Sequence, residues 1–313
     1  MNRLLNKKPP VFLFLISCIL IIYSCSQSSV DKKIEQENTS LENDSVIDRE
    51  EIKEPEFVIT YRLDSLVNEK QIDSFRTRFS TDQQKLIFAL NRLDPNRLKL
   101  GLNLLIPDTL FNDFNKYAPF PEELYSFNTI PKAVLISQRI QAFALYEKGS
   151  LVKWGPVSSG KQSTPTPNGL HYGNYKAKNK ISTVDPDWLL PYYFNFMNFE
   201  GVGVHQYSLP GYPASHACVR LRMDDAQFIY DWANQWKLDN KGQKIEQNGT
   251  PFMVFGEYDY KNPFPWQKLG QDTKSNSLTE VELELLKQYS LQFINNGNNL
   301  GDAKYQSDLL VLN

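Results

Sequence analysis

Between Ala133 and Trp154 the chain alternates short apolar runs with short polar breaks, and this spacing constrains the fold more than any other feature. The runs are Ala133-Val134-Leu135-Ile136-Ser137, Ile140 to Tyr146 and Leu151-Val152-Lys153-Trp154, with Glu147-Lys148-Gly149-Ser150 between the last two. Each is too short for a core helix, and β-hairpins fit the pattern. Ser158 to Gly169 follows as a loop, punctuated by Pro165, Pro167 and two glycines. Gly201-Val202-Gly203-Val204 and Thr250 to Tyr260 supply further strands, and Pro263 and Pro265 end the region. Helical spacing appears at Ala226, Ile229, Tyr230 and Ala233, preceded by Asp224 and Asp225 where a helix N-terminus favours negative charge. A last helix is expected over Glu280 to Phe293, opened by the capping-box pattern Thr279-x-x-Glu282 and packed on the main domain. The fold class is therefore mainly β with a few helices.

Upstream, residues 57–108 read as a small β-α-α-β module: a strand at Phe57 to Tyr61, helices at Ile72 to Phe79 and Gln83 to Arg92, and a strand at Leu104 to Ile106. Residues 109–130, with Pro119 and Pro121, read as a connector, 131–260 as the main domain and 261–313 as a C-terminal extension. The N-terminus reads as an export signal, with Arg3, Lys7 and Lys8 ahead of the apolar run Val11 to Ile22. Ile22-Tyr23-Ser24-Cys25 resembles a bacterial lipobox, in which Cys25 is lipidated and residues 1–25 form the signal segment. Residues 26–56 follow as an acidic tether; positions 31–56 hold ten Asp/Glu against four Lys/Arg, too polar to offset the entropy of ordering. The net charge of -2, with no basic run, excludes the electrostatic footprint of a nucleic-acid binder.

Chemistry concentrates in Val204 to Arg220, which holds two of the three histidines, His205 and His216, together with Cys218. With Cys18 in the signal segment and Cys25 lipidated, Cys218 stands alone and forms no intramolecular disulfide. A thiol beside an imidazole is a nucleophile with a base, which suits acyl transfer. His216 lies two residues before Cys218, so both side chains face one way on an extended segment. His205 ends a strand, and the loop Tyr207 to Ala214 can fold it back toward the thiol. Neither CxxC nor HxxxH spacing occurs, and no metal or cofactor is expected.

A His at a strand end followed by Ser215-His216-Ala217-Cys218-Val219-Arg220 resembles the signature of YkuD-type L,D-transpeptidases. The resemblance extends, in family order, to Ile136 through Phe143, Val157-Ser158-Ser159-Gly160, Thr164-Pro165-Thr166-Pro167-Asn168-Gly169 and Leu190-Pro191-Tyr192-Tyr193. It implies a β-sandwich or barrel catalytic domain over 131–260 whose Cys attacks a peptidoglycan stem tetrapeptide, releases D-Ala and forms a thioester. An amine acceptor or water then resolves that thioester. On this chain it makes Cys218 the nucleophile and His205 the general base. His216, Ala217 and Ser215 become pocket or oxyanion residues, and Arg220 a support of the Cys loop or a carboxylate ligand. Apart from the resemblance, Trp188, Tyr192 and Tyr193 are candidate walls of the cleft, the other reading of aromatics at this spacing being core. The other readings are an L,D-carboxypeptidase and a non-catalytic wall-binding lipoprotein.

Ala217 stands where the family usually has Gly, so a positive φ there costs about 1 to 2 kcal/mol. Leu90 to Pro95 and Leu98 to Pro107 resemble the end of a LysM glycan-binding repeat, without its opening Gly-Asp-Thr; the other reading is a structural spacer. His171 is expected to be packed rather than functional. With the family's habits, the lipobox and tether imply a lipid anchor on the periplasmic face of a Gram-negative membrane.

Overall fold

The computed structural model describes residues 58–296. The signal segment 1–25, lipidation at Cys25 and the whole tether 26–56 lie outside the described residues.

The chain begins with β1 (Tyr61–Ser65), α1 (Glu69–Arg78), α2 (Thr81–Leu90) and β2 (Asn103–Pro107), and β1 pairs antiparallel with β2. The β-α-α-β order is that read from the sequence, but β1 starts where the expected strand ended. Val58 is exposed, whereas pairing Tyr61 with Pro107 and Leu63 with Leu105 sets the register. Both helices open with capping boxes, Asn68 with Gln71 and Ser80 with Gln83, so each cap satisfies two otherwise orphaned N–H groups.

The main domain follows as β3 (Ala133–Ser137), β4 (Ala142–Glu147), β5 (Ser150–Pro156), β6 (Gly169–Tyr172), β7 (Lys176–Ile181), β8 (Leu189–Met197), β9 (Val202–Gln206), β10 (Val219–Leu221), α3 (Met223–Trp232), β11 (Lys237–Leu238), β12 (Ile245–Gln247) and β13 (Pro251–Phe255). Five strands form one sheet in the order β5-β4-β3-β13-β6, and four form another, β10-β9-β8-β7. β11 and β12 make a small separate ribbon.

The two sheets pack as a sandwich because β3, β4 and β13 carry apolar residues on both faces. Val134, Ile136, Phe143, Phe252 and Val254 meet Phe194, Val204 and Val219 of the second sheet and Ala226 and Ile229 of α3. Their neighbours Leu135, Ala144, Tyr146, Met253 and Phe255 point the opposite way. Strands buried on both sides read as continuous apolar runs, as these do. β7 escaped the sequence reading because Lys176-Ala177-Lys178-Asn179-Lys180-Ile181 is an exposed edge strand, where lysines discourage further pairing.

The outer face of the five-stranded sheet is covered by three segments from outside the sandwich. Leu86 and Leu90 come from α2, and Tyr117, Phe120, Phe127 and Ile130 from the 109–130 stretch. Leu286 comes from α4 (Glu280–Asn296), the last described helix. The 109–130 stretch was expected as a connector; the structure shows that its aromatic side chains complete a core. α4 is held by Arg139, which donates from Nε and Nη2 to both carboxylate oxygens of Glu282 at 2.8 and 2.7 Å. Glu282 also accepts from the Thr279 N–H, closing the expected capping box.

Glu282→Ala removes a bidentate charged pair and a helix cap together. It is expected to destabilise the fold by about 2 to 3 kcal/mol, read as a lowered denaturant midpoint; an unchanged midpoint would refute this role for α4.

Candidate active site

The site is assembled where β9 and β10 pair in parallel, with Val219 opposite Val204 and Arg220 opposite His205. Side chains alternate along strands, so Cys218, at the entry to β10, is set toward the same face as Arg220 and His205. Gly203 lets β9 lie against β8, since a Cβ there would stand 2.5 Å from the Phe194 carbonyl oxygen. Cys218, His205, His216, Arg220, Trp188 and Tyr193 all line one open cleft.

The Cys loop is fixed by segments remote in sequence. Ser158 and Arg220 exchange backbone hydrogen bonds at 3.1 and 2.9 Å, and the Ala214 and Ser215 N–H groups both donate to Ser159 O at 3.1 Å. The Lys161 N–H donates to Ser215 O at 2.9 Å. Thr166 Oγ1 donates to Ala217 O at 2.7 Å and accepts from the Gly160 N–H at 2.9 Å. Gln138 Nε2 donates to Thr166 O, and Gln141 both donates to Ser159 Oγ and accepts from the Ser159 N–H. Ser215 Oγ donates to Cys218 O. The short motifs scattered over 80 residues of sequence thus converge on a single turn.

Within that turn Ala217 has φ 76. The loop keeps the left-handed conformation and bears the strain of a Cβ there. Among the hydrogen bonds of the described residues, none is donated by the backbone N–H of His216, Ala217 or Cys218.

His205 is 4% exposed, and its Nδ1 lies 2.9 Å from Gln206 O. A carbonyl can only accept, so Nδ1 carries the proton and Nε2 is left as a base. Burial, chiefly, lowers the His205 pKa to about 4, with Arg220 adding to the effect. Burial raises that of Cys218, against the Gly203 backbone and the Arg220 charge. Thiol and imidazole are thus both neutral at rest. The thiol rests 3.7 Å from Gly201 O, which also accepts from Tyr193 Oη at 2.6 Å.

His216 Nε2 lies 2.9 Å from Lys161 Nζ, which can only donate, so the His216 proton sits on Nδ1; that atom is buried without a partner. The Trp188 ring packs 5.6 Å from His216 and 6.2 Å from Tyr207. Arg220 stacks 4.7 Å over Tyr207 and donates to Ala214 O at 3.0 Å.

Tyr192 departs from its expected place. With φ 51 it turns its ring onto Tyr230 of α3, 5.6 Å away, and packs against the sandwich core. Its neighbour Tyr193, also expected there, does line the cleft, together with Tyr175 and Tyr207; alternation along β8 could have separated Tyr193 from Tyr192. His171 is 5% exposed, packs 5.6 Å from Phe196 and lies outside the cleft, its pKa lowered to about 4, mainly by burial.

This geometry defines a β-sandwich with a cysteine–histidine cleft at a strand end, and sequence comparison gives the class a family. Residues 131–254 match the model of the YkuD L,D-transpeptidase catalytic domain. The chain is 25% identical over 157 residues to a putative L,D-transpeptidase YkuD of Bacillus licheniformis, covering 49% of this chain and 82% of that protein. Among solved structures, an L,D-transpeptidase from Stackebrandtia nassauensis is 24% identical with a TM-score of 0.33, covering 41% of this chain and 57% of that one. One from Mycobacterium smegmatis is 23% identical with a TM-score of 0.31, covering 40% and 59%. The chain therefore spans less than two thirds of those solved structures. Residues 131–254 are a YkuD-type L,D-transpeptidase catalytic domain.

His171 and His205 both have folded pKa values of about 4, below the ordinary value near 6.5. The unfolded chain therefore binds these protons first as pH falls, and stability should decline progressively from about pH 6.5 to about pH 4. A melting temperature constant across that window would contradict the burial argument. Ala217→Gly relieves the left-handed strain but loosens the unfolded chain, so it should leave stability unchanged or raise it by up to about 1 kcal/mol. A clear loss in chemical denaturation would show that the Ala217 methyl group contributes to packing.

Proposed function

We propose that the protein is a peptidoglycan L,D-transpeptidase acting through a Cys218 thioester. The observation that carries this reading is the His205 tautomer: Nδ1–H is held by Gln206 O, leaving Nε2 basic in the cleft that holds Cys218. As Sγ attacks the carbonyl of the L-centre residue of a stem tetrapeptide, its proton passes to His205 Nε2. The carbonyl oxygen becomes an oxyanion, which the N–H groups of His216, Ala217 and Cys218 would receive. Collapse breaks the C–N bond to the terminal D-Ala, whose nitrogen takes the proton from His205, and the thioester remains. An acceptor amine then attacks the thioester, gives its proton to His205, and Sγ leaves with that proton.

A depressed His205 pKa suits this cycle, because the imidazole stays unprotonated and ready to accept. Trp188 and Tyr207 supply an aromatic wall beside His216. Arg220 has no carboxylate within 4 Å among the described residues, so its charge is available to a substrate carboxylate as well as to the loop. Lipidation at Cys25 and a tether of roughly 30 Å, by random-coil scaling, would place the domain within reach of peptidoglycan from a Gram-negative periplasmic membrane face.

Incubation with a disaccharide tetrapeptide is expected to add the acyl-tripeptide mass to Cys218 and release D-Ala; the Cys218→Ala variant should show neither by mass spectrometry. Failure of the wild type to form an adduct, with sacculus binding intact, would instead favour a non-catalytic wall-binding protein. Tripeptide with no cross-link would mark water as the acceptor. The acid limb of kcat/KM should fall near pH 4, where His205 protonates; a limb near pH 6.5 would assign the base elsewhere.

A further inference from the structure

The loop between His205 and Cys218 is tied at its two ends within the sandwich. The Tyr207 N–H donates to Leu221 O at 3.1 Å, and Ser158 Oγ donates to Tyr212 O at 2.7 Å. Its middle is held by the β-α-α-β module. The Asp94 N–H donates to Leu209 O at 3.0 Å, and the Leu209 N–H donates to Asp94 Oδ2 at 2.8 Å, closing a reciprocal pair. Leu93 forms an isolated bridge with Pro210. Arg97 donates from Nε and Nη2 to Ser208 Oγ at 3.1 and 3.0 Å. Leu209 is wholly buried in this grip.

Tyr207, the residue before this clamp, stands 6.2 Å from the His205 ring and 6.2 Å from Trp188, and it carries the stacked Arg220. Slack at Ser208 to Pro210 would therefore pass directly to the cleft wall and to the turn that sets the His205 imidazole. A displacement of about an ångström at a reacting group costs on the order of a hundredfold in rate.

We propose that the module is a working part of the active site, with Asp94 and Arg97 acting as positioning residues that hold the His205–Cys218 loop in its reactive geometry. This rests on the function proposed above. Asp94 acts through its carboxylate oxygen as an acceptor for the Leu209 N–H, so an amide at this position can still serve and a methyl group cannot.

The test uses full-length Asp94→Ala, Asp94→Asn and Arg97→Met proteins. Three quantities are measured: the second-order rate of Cys218 alkylation by iodoacetamide across pH, acylation by the disaccharide tetrapeptide, and the melting temperature. Asp94→Ala and Arg97→Met are expected to lower acylation kcat/KM by about tenfold and to alter the alkylation rate, with Asp94→Asn within about twofold of wild type. Arg97 is exposed, so Arg97→Met keeps the test open if Asp94→Ala does not fold. Wild-type acylation and alkylation in folded Asp94→Ala or Arg97→Met, with a lowered melting temperature alone, would reduce the clamp to a structural contact and overturn the proposal. So would Asp94→Asn as impaired as Asp94→Ala. If the wild type is not acylated by the tetrapeptide, the functional reading fails, while the alkylation profiles still decide the clamp.

Discussion

The backbone clamp between Ser158–Lys161 and Ala214–Arg220 is the interaction on which the site depends. A turn with a left-handed alanine is unfavourable by about 1 to 2 kcal/mol and does not persist unless its surroundings over-determine it. Here the surroundings do: the Ser158–Arg220 exchange, the bonds to Ser159 O and Ser215 O, and the Thr166 bond to Ala217 O all act on seven residues. At about 1 kcal/mol net each, together they outweigh the strain. Gly160 lets the 160–166 loop fold tightly back on itself, since a Cβ there would sit 2.2 Å from Thr164 O. The clamp engages the neighbouring groups, and no hydrogen bond among the described residues is donated by the N–H groups of His216, Ala217 and Cys218.

Burial then sets the chemistry. The same packing that excludes water from His205 and Cys218 lowers the basicity of one and raises the pKa of the other. The resting pair is neutral, so in the proposed reaction proton transfer would accompany attack instead of preceding it. In the exported setting proposed here this has a second consequence. Oxidation and disulfide exchange proceed through the thiolate, and a lone cysteine kept protonated until substrate arrives is spared both.

Legibility followed the physics of each element. The doubly buried strands β3, β4 and β13 were visible as apolar runs, α3 by its period and acidic first turn, and α4 by its capping box. β7, polar and at an edge, left no such signal, and β10, three residues long, was too short to be picked out. Among the residues of the site, Cys218, His205, His216 and Trp188 could be placed in advance because residue type and motif order carry that information. Lys161, Tyr175 and the Gln206 carbonyl could not be, because their parts depend on backbone direction after folding. Of the adjacent tyrosines Tyr192 and Tyr193, both expected at the cleft, only Tyr193 lines it: with φ 51 at Tyr192, the local turn decides which ring enters.

Arg92 explains why the module can bear on the cleft at all. Its side chain is wholly buried and donates from Nε to Ile140 O at 3.0 Å and from Nη1 to Ala89 O and Leu90 O. Its guanidinium lies 4.9 Å from the Trp266 ring and 5.8 Å from Trp154. Burial lowers its pKa only to about 9, so it remains charged at neutral pH, spread over carbonyl oxygens and two indole faces, with no carboxylate partner among the described residues. A desolvated cation of this kind tolerates little movement of its partners, because each lost contact exposes an uncompensated charge. Those partners belong to the end of α2, the β3–β4 turn, β5 and the C-terminal extension. The module is thereby fixed against the five-stranded sheet two residues before Asp94, and that rigid footing lets a contact at Leu209 be transmitted to the cleft.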